Sequence, residues 1–202
     1  MDQVLQRMLI EQVANAVISH ADELTTLDQA IGDGDHGLNM KRGAMAVLER
    51  LDDLSAKPLP EALKTAGQTL VMKVGGASGP LYGTLLLTLG TNLPAAPNER
   101  ELQQAMGLAI QAVKKIGRSE VGQKTMLDVL APVHEELSLG GEGLPDRVRR
   151  RGAAAAEATV PMRATKGRAS FLGERSIGHM DPGARSSALI VDAVADFMEG
   201  IA

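Results

Sequence analysis

Three aspartates, Asp28, Asp33 and Asp35, lie within eight positions of the sequence and are interleaved with glycines. Carboxylates this close repel one another unless a cation lies among them, and glycines let the backbone turn tightly enough for their oxygens to converge. A hard divalent ion is the natural partner, because Mg²⁺ is commonly bound by carboxylates together with substrate phosphates. Zinc is disfavoured, since His36 alone offers a nitrogen ligand close by.

Two other interpretations of this acidic segment are a solvated acidic turn and a calcium loop. The calcium loop is disfavoured because the carboxylate expected at the twelfth position of an EF-hand is missing. His36, Gly37 and Asn39 begin the next predicted helix, and N–H groups at a helix start attract phosphate. For His36, a structural hydrogen bond is the alternative to a ligand contact. The segment therefore predicts a site for Mg²⁺ and phosphate.

A second glycine-rich segment, residues 74–80, precedes a run of apolar residues. Its small residues permit close approach of the backbone to a ligand, and Ser78 adds a hydroxyl, as in loops that bind phosphate. The segment matches neither the Walker pattern nor a dinucleotide fingerprint. A flexible loop or a tight helix crossing is the structural alternative.

A third segment, residues 164–184, is a predicted loop that is long for a compact domain, and long loops of this kind are often functional. It contains three cations that could meet a phosphate: Lys166, Arg168 and Arg175. Its end, residues 181–183, could equally form a plain turn before the last helix.

Two weaker signals lie between the second and third segments. Residues 117–118 and 124–126, with Asp128 a turn further on, could form a site or an ordinary helix start with surface charges. A run of four arginines on a predicted helix is interpreted as a solvated face, with docking of an acidic partner as the alternative: Arg147, Arg149, Arg150 and Arg151.

The composition limits the classes of function. The chain has 202 residues, a net charge of −4 and 44% hydrophobic residues, which is typical of a soluble globular protein and argues against nucleic-acid binding. One Tyr, two Phe and no Trp disfavour base stacking on aromatic side chains, so Met, Leu and Ala must line any purine pocket. The sequence shows neither a run of about 20 apolar residues nor a signal peptide, so we expect a cytoplasmic protein with no membrane contact.

Apolar residues recur at three- and four-residue steps along most of the chain, which predicts an all-α protein. Leu81 to Leu89 is apolar nearly all round and is predicted to be a central buried helix. Asn98 followed by Glu101 predicts a capping box at the start of a further helix. Pro60 is predicted in the first turn of its helix.

Four segments together resemble the nucleotide-binding domain, or L subunit, of dihydroxyacetone kinases. They follow one another in order over nearly the whole chain, at residues 28–40, 75–84, 122–128 and 166–184. The resemblance implies a closed barrel of about eight antiparallel helices, formed as a single nucleotide-binding domain over residues 1–202. It also implies that ADP or ATP binds at one end of that barrel.

The resemblance further implies a role for individual residues. It assigns two Mg²⁺ ions, which bridge the nucleotide phosphates, to Asp28, Asp33 and Asp35. It implies that the following residues bind the nucleotide: His36, Gly37, Leu38, Asn39, Gly76, Ala77, Ser78, Gly117, Thr125, Met126, Arg175, Asp181, Pro182 and Gly183. No side chain is assigned a catalytic role beyond binding metal and phosphate.

Chain length refines the activity that the resemblance implies. Relatives that use free ATP usually carry this domain behind a longer sugar-binding domain, for which 202 residues leave no room. The chain is therefore similar to stand-alone subunits whose bound ADP is rephosphorylated by a phosphohistidine phosphocarrier protein of the phosphotransferase system. The γ-phosphoryl then passes to dihydroxyacetone on a separate K subunit, and residues 166–178 are the expected lid over the retained nucleotide.

Three alternatives remain at this point. A metal-dependent helical hydrolase would use the same carboxylates but would turn over a nucleotide alone. A regulatory homologue would bind the nucleotide as a signal. A kinase subunit for a related three- or four-carbon sugar would have the same motifs, because this chain is not expected to touch the sugar carbonyl.

Overall fold

A computed structural model describes residues 2–201, which form ten α-helices and one 3₁₀ helix and no strand. The α-helices are α1 (Gln3–Ser19), α2 (Ala21–Ile31), α3 (His36–Leu48), α4 (Leu51–Ser55), α5 (Leu59–Lys73), α6 (Ser78–Asn92), α7 (Glu99–Gly117), α8 (Leu127–Leu139), α9 (Leu144–Glu157) and α10 (Pro182–Gly200). The 3₁₀ helix, Arg168–Ser176, lies between α9 and α10 in the sequence. The prediction of an all-α protein is confirmed. There are more helices than the eight or so expected, partly because α2 is separate from α1 and the short α4 is separate from α3 and α5.

The predicted helix starts are present. The Asn98 side chain accepts a hydrogen bond from the Glu101 N–H at 3.0 Å, and the Glu101 carboxylate accepts one from the Asn98 N–H at 2.9 Å. This reciprocal capping satisfies two N–H groups that α7 leaves without helical partners. Pro60 lies in the first turn of α5, where its missing N–H costs no helical hydrogen bond.

By its internal contacts the chain divides into two compact units, and the first contains residues up to Ile18 together with Asn39–Arg118. Within it, α5 packs against α6 and α6 against α7. The α5–α6 crossing is close: a Cβ placed on Gly67 would lie 2.8 Å from the carbonyl oxygen of Gly83. Glycine at this crossing therefore sets the distance between the two helices.

The apolar stretch from Leu81 to Leu89 is a helix, as predicted, but it is not completely buried. Tyr82 and Leu85 are buried, whereas the other leucines of this stretch are of intermediate exposure. In the first unit α6 packs against α5 and α7, and these contacts cover part of its circumference. The expectation of a fully buried central helix is wrong to that extent.

The second unit contains Ser19–Leu38 and the chain from Ser119 onward. Its core lies where α8, α9 and α10 meet, and it is built mainly of valine and alanine: Val129, Val133, Val148, Ala155, Ala156, Ala184 and Ala188. Small and β-branched side chains allow the three helices to approach closely.

The arginine run of α9 is engaged in ion pairs within this unit. Arg149 pairs with three carboxylates of α10, those of Asp192, Asp196 and Glu199. The other three arginines pair with carboxylates of α8 and α9: Arg147 with Glu136, Arg150 with Asp146 and Arg151 with Glu135. The run is therefore a set of intramolecular ion pairs rather than an unpaired basic surface. None of the helices in the part of the chain that the structure describes is long and apolar enough to cross a membrane.

Candidate metal and nucleotide site

The three predicted metal ligands converge. Asp28, Asp33 and Asp35 each offer one carboxylate oxygen, and these oxygens all lie within 4.8 Å of one another. Asp28 is on the last turn of α2, whereas Asp33 and Asp35 lie in the loop between α2 and α3. The expectation that all three occupy one glycine-rich turn is thus wrong for Asp28, which a helix positions.

Asp28 is held rigidly. It is buried, and its Oδ2 accepts hydrogen bonds from the backbone N–H groups of Asp35 at 2.8 Å and His36 at 3.0 Å. Its other oxygen, Oδ1, faces Gly32, where any Cβ would overlap it. Glycine at position 32 therefore leaves space at Oδ1 for a ligand, while the two N–H groups fix the orientation of the carboxylate.

His36 begins α3 and is also buried. Its Nε2 lies 2.9 Å from the Ser186 Oγ of α10. Burial lowers the pKa of His36 below its usual value, against the opposing effect of the Asp28 and Asp35 carboxylates. His36 thus makes the structural hydrogen bond that was the alternative to a ligand contact. This hydrogen bond joins the start of α3 to α10.

Arg168 is the cation that the structure brings to the cluster. It forms an ion pair with Asp33. The 3₁₀ helix that carries Arg168 packs on the end of α2 through a small apolar cluster of Ile31, Ala164 and Ala169. Arg175, the predicted phosphate ligand, lies on the same 3₁₀ helix and is exposed. Sequence reasoning named Arg168 as a possible phosphate contact but did not select it, because spacing alone could not rank the three cations.

Asp181 caps the N-terminus of α10. Its side chain accepts a hydrogen bond from the Ala184 N–H at 2.7 Å, and its own N–H donates to Thr159 Oγ1 at 3.0 Å. Burial, assisted by the nearby Asp128 carboxylate, raises the pKa of Asp181 to about 7, although the Ala184 N–H and Lys124 favour the charged form. Residues 181–183 thus form the predicted turn, and they are also the buried, polar start of α10.

Thr125 and Met126 lie just before α8 in the same unit. The Thr125 N–H donates to Asp128 Oδ2 at 2.7 Å, so Asp128 closes the turn that leads into α8. A Cβ placed on Gly183 would lie 3.5 Å from the Met126 backbone nitrogen. Two of the segments predicted to bind the nucleotide therefore adjoin one another.

The remaining predicted ligands belong to the first unit. Asn39 is buried on α3, and a Cβ placed on Gly75 would lie 2.7 Å from its Oδ1, so the glycine segment runs directly along this side chain. Gly76 and Ala77 are exposed and Ser78 begins α6. Gly117 ends α7, and it is followed by Arg118 in the left-handed conformation.

Lys124 is a structural residue that sequence reasoning treated as a weak surface signal. It is 1% exposed and has a positive φ of 63°. Its Nζ donates to three backbone carbonyl oxygens, those of Ser176 at 2.6 Å, Met162 at 3.0 Å and Val160 at 3.5 Å. Burial lowers the pKa of Lys124, and Asp181 opposes that shift.

The donor set fits magnesium. All three converging groups are carboxylates, and the nearby His36 ring is directed to Ser186. Oxygen-only ligation is characteristic of Mg²⁺, which usually also binds water and substrate phosphates. The residues present could therefore hold Mg²⁺ and, through it, the phosphates of a nucleotide.

Comparison with known proteins decides the family. The family model described as the DAK2 domain matches residues 30–196 of the chain, which include Asp33, Asp35 and the whole third segment. The chain belongs to the DAK2 domain family. The resemblance noted in the sequence is thereby confirmed.

Two curated relatives of similar length are described as ADP-binding subunits. The chain is 47% identical over 172 residues to the ADP-binding subunit DhaL of PEP-dependent dihydroxyacetone kinase 1 from Listeria innocua, covering 85% of this chain and 84% of that protein. It is 42% identical over 185 residues to the ADP-binding subunit DhaL of the PEP-dependent dihydroxyacetone kinase of Escherichia coli K12, with 88% of each chain covered.

A solved structure of a dihydroxyacetone kinase contains the same fold. The dihydroxyacetone kinase from C. freundii, crystallised with AMP-PNP and Mg²⁺, matches with a TM-score of 0.78 at 25% identity. The match covers 96% of this chain and 34% of that chain. This chain thus corresponds to about a third of the larger kinase.

Proposed function

We propose that this chain is the ADP-carrying subunit of a dihydroxyacetone-type kinase, with Mg²⁺ and ADP or ATP as cofactors. In the proposed cycle a phosphohistidine phosphocarrier protein of the phosphotransferase system rephosphorylates the bound ADP. The γ-phosphoryl group then passes to dihydroxyacetone held on a separate K subunit. The names of the relatives at 42–47% identity support this assignment.

One observation of the structure carries the proposal: three carboxylates lie within 4.8 Å of one another, and an arginine pairs with one of them. Phosphoryl transfer requires charge neutralisation and alignment more than covalent chemistry from the protein. Mg²⁺ held by Asp28, Asp33 and Asp35 would supply that neutralisation. Arg168 lies at the carboxylate expected to bind the metal, so we add it to Arg175 as a phosphate contact.

The other side chains position the nucleotide. In the proposal the first turn of α3 supplies N–H groups to phosphate, and the buried start of α10 borders the base. The residues proposed to make these contacts are His36, Gly37, Leu38, Asn39, Gly76, Ala77, Ser78, Gly117, Thr125, Met126, Asp181, Pro182 and Gly183. Two Mg²⁺ ions remain the proposed stoichiometry.

Asp33→Asn tests the site, since it removes one ligand charge and keeps the size of the side chain. We expect Mg²⁺-dependent ADP affinity, measured by isothermal titration, to fall about 100-fold or more, because even residues that only support metal ligands contribute 10- to 100-fold. Stability in EDTA should change by less than about 1 kcal/mol, since the exposed pair with Arg168 contributes little. Asp146→Asn, which removes an exposed carboxylate paired with Arg150, is the matched control and should bind ADP normally.

Activity separates the kinase subunit from its alternatives. With K subunit, phosphocarrier and phosphoenolpyruvate-derived phosphate, the wild-type chain should form dihydroxyacetone phosphate, and Asp33→Asn should not. The chain alone should not release phosphate from ATP. Steady ATP hydrolysis by the isolated chain would favour the hydrolase, and ADP binding without transfer in the complete mixture would favour the regulatory homologue.

A further inference from the structure

Lys124 is a buried ammonium group whose hydrogen bonds all join distant parts of the second unit. Its Nζ has three N–H donors, and three carbonyl oxygens accept from it. Two of them, Val160 and Met162, precede the third segment, and the third, Ser176, ends the 3₁₀ helix. One side chain therefore connects the two ends of the same loop.

Other hydrogen bonds close the loop at the same place. The Gly178 N–H donates to the Val160 carbonyl at 2.9 Å, and the Ala164 N–H donates to the Ser176 Oγ at 2.9 Å. The Thr165 N–H donates to the Gln123 carbonyl at 3.4 Å, next to Lys124 in the sequence. Residues 160–178 thus form a loop with joined ends, and Lys124 lies in its stem.

The same loop also meets the metal cluster. Ala164 and Ala169 pack on Ile31, which ends the helix that carries Asp28. Arg168 reaches Asp33 from the same loop. The pair is exposed, with 64% and 36% of the two side chains accessible, so it contributes little to fixing the loop. The stem and the Ile31 contact must therefore set the position of Arg168.

We propose that Lys124 is the positioning residue that holds the 160–178 loop against α2, so that Arg168 is presented to the nucleotide phosphates. This inference rests on the proposed function, and it assigns to Lys124 a role outside ligand contact. The loop is then a preformed flap with a fixed stem, and any lid motion is confined to its tip.

An ammonium group suits this role. It supplies three donors from one atom, and three carbonyls that converge on one point cannot be satisfied by any neutral side chain of similar length. Lys124→Met keeps the length and removes this donor from the Met162 and Ser176 carbonyls, which is costly. Ser176→Ala is the milder second variant, because it removes the Oγ that accepts from Ala164 and leaves the ammonium in place.

The first experiment needs no nucleotide. The loop contains exposed trypsin sites at Arg163, Arg168 and Arg175. We expect trypsin to cleave the native loop about tenfold or more faster in Lys124→Met than in the wild type, because loss of one charge-assisted hydrogen bond corresponds to at least that factor in opening. Ser176→Ala should show a smaller increase. Lys64→Met, a surface lysine paired with Glu61, is the matched control and should be cleaved like the wild type.

The second experiment asks whether Lys124 acts through Arg168. The dissociation rate of Mg²⁺-ADP is measured for the wild type, Lys124→Met, Arg168→Met and the double variant. Each single variant should release ADP about tenfold faster. This factor corresponds to the lower end of the free-energy range for losing a hydrogen bond to a charged group. In the Lys124→Met background, Arg168→Met should add less than about twofold, as expected for coupled residues. Ser176→Ala is carried through the same cycle, so that poor folding of Lys124→Met does not prevent the test.

The outcomes separate this inference from the proposed function. Multiplicative effects of the two substitutions, or wild-type ADP release from Lys124→Met, would overturn the positioning role even where thermal stability falls. An unchanged rate of loop cleavage in both Lys124→Met and Ser176→Ala would do the same. A wild-type chain that fails to bind Mg²⁺-ADP would instead contradict the proposed function, while loop cleavage would still report on the stem.

Discussion

Asp181 should make the stability of this protein depend on pH in an unusual direction. Burial raises the pKa of its carboxyl group from 3.8 to about 7. Between these values the native protein binds a proton that the unfolded chain has lost, so stability falls as pH rises. The stabilising contribution is fully present below 3.8 and is lost as pH rises through about 7. Most paired carboxylates have the opposite effect, because their pKa values are lowered on folding.

The size of the effect follows from the same two pKa values. One pKa unit corresponds to 1.36 kcal/mol, so the contribution of Asp181 should decrease by about 2–3 kcal/mol between pH 5 and pH 8. Asp181→Asn removes the titration and keeps an oxygen that can accept the Ala184 N–H, and Asn is as good an N-cap as Asp. The variant should therefore be more stable than the wild type at pH 8 and have no such decrease.

Urea denaturation at half-unit steps from pH 5 to pH 8 measures both curves. The decisive quantity is the difference in the free energy of unfolding between wild type and Asp181→Asn, because the titration of groups that do not interact with Asp181 cancels in it. Asp192→Asn serves as the control: its carboxylate is exposed on the same helix, and its curve should run parallel to that of the wild type. Parallel curves for wild type and Asp181→Asn would show that Asp181 is already charged in the native protein at pH 5, and that burial does not raise its pKa.

Two further predictions concern the metal site and the start of α7. Gly32→Ala places a Cβ over Asp28 Oδ1, so Mg²⁺-dependent ADP affinity should fall about tenfold or more by titration calorimetry, the scale for disturbing a ligand's support, with the helical circular dichroism unchanged; undiminished affinity would mean that Oδ1 is not a ligand. Asn98→Ala removes the capping box of α7 and should lower the free energy of unfolding by about 1 kcal/mol in urea without affecting ADP affinity, because the cap is at the opposite end of α7 from the proposed ligand Gly117; a change in ADP affinity of more than twofold would show that this cap supports the nucleotide site.

Much of the fold was predictable, because local rules and burial agree in most helices. The capping box of α7 and the Pro60 start of α5 depend on residues within one turn, and both occur as predicted. The incomplete burial of α6 was not predictable, since an apolar sequence does not show how many neighbours a helix has. Tertiary packing decides that exposure.

The carboxylate cluster was predictable, but the element that holds it was not. In α2 the buried positions are Ala21, Leu24, Asp28 and Ile31, which follow a helical spacing with an aspartate in the apolar stripe. That spacing indicated that Asp28 belongs to a helix. The glycines that follow it favoured a turn instead, so the helix was not predicted to reach Asp28. The roles of Lys124 and Arg168 were harder to predict from the sequence. The partners of Lys124 are 36 to 52 positions away along the chain, and Arg168 is 135 positions from Asp33.

The three aspartates are not equivalent, and the difference is physically useful. Asp28 is buried and held by two N–H groups, so it gives the site a fixed reference point. Asp33 is partly exposed and pairs with Arg168, so Mg²⁺ at the proposed site would compete with the guanidinium for the same carboxylate. An exposed ion pair is worth at most about 1 kcal/mol, and a divalent ion bound by three carboxylates and phosphate easily exceeds that. Metal binding would then release Arg168 toward the phosphates at little cost, provided that the stem at Lys124 keeps the loop in place.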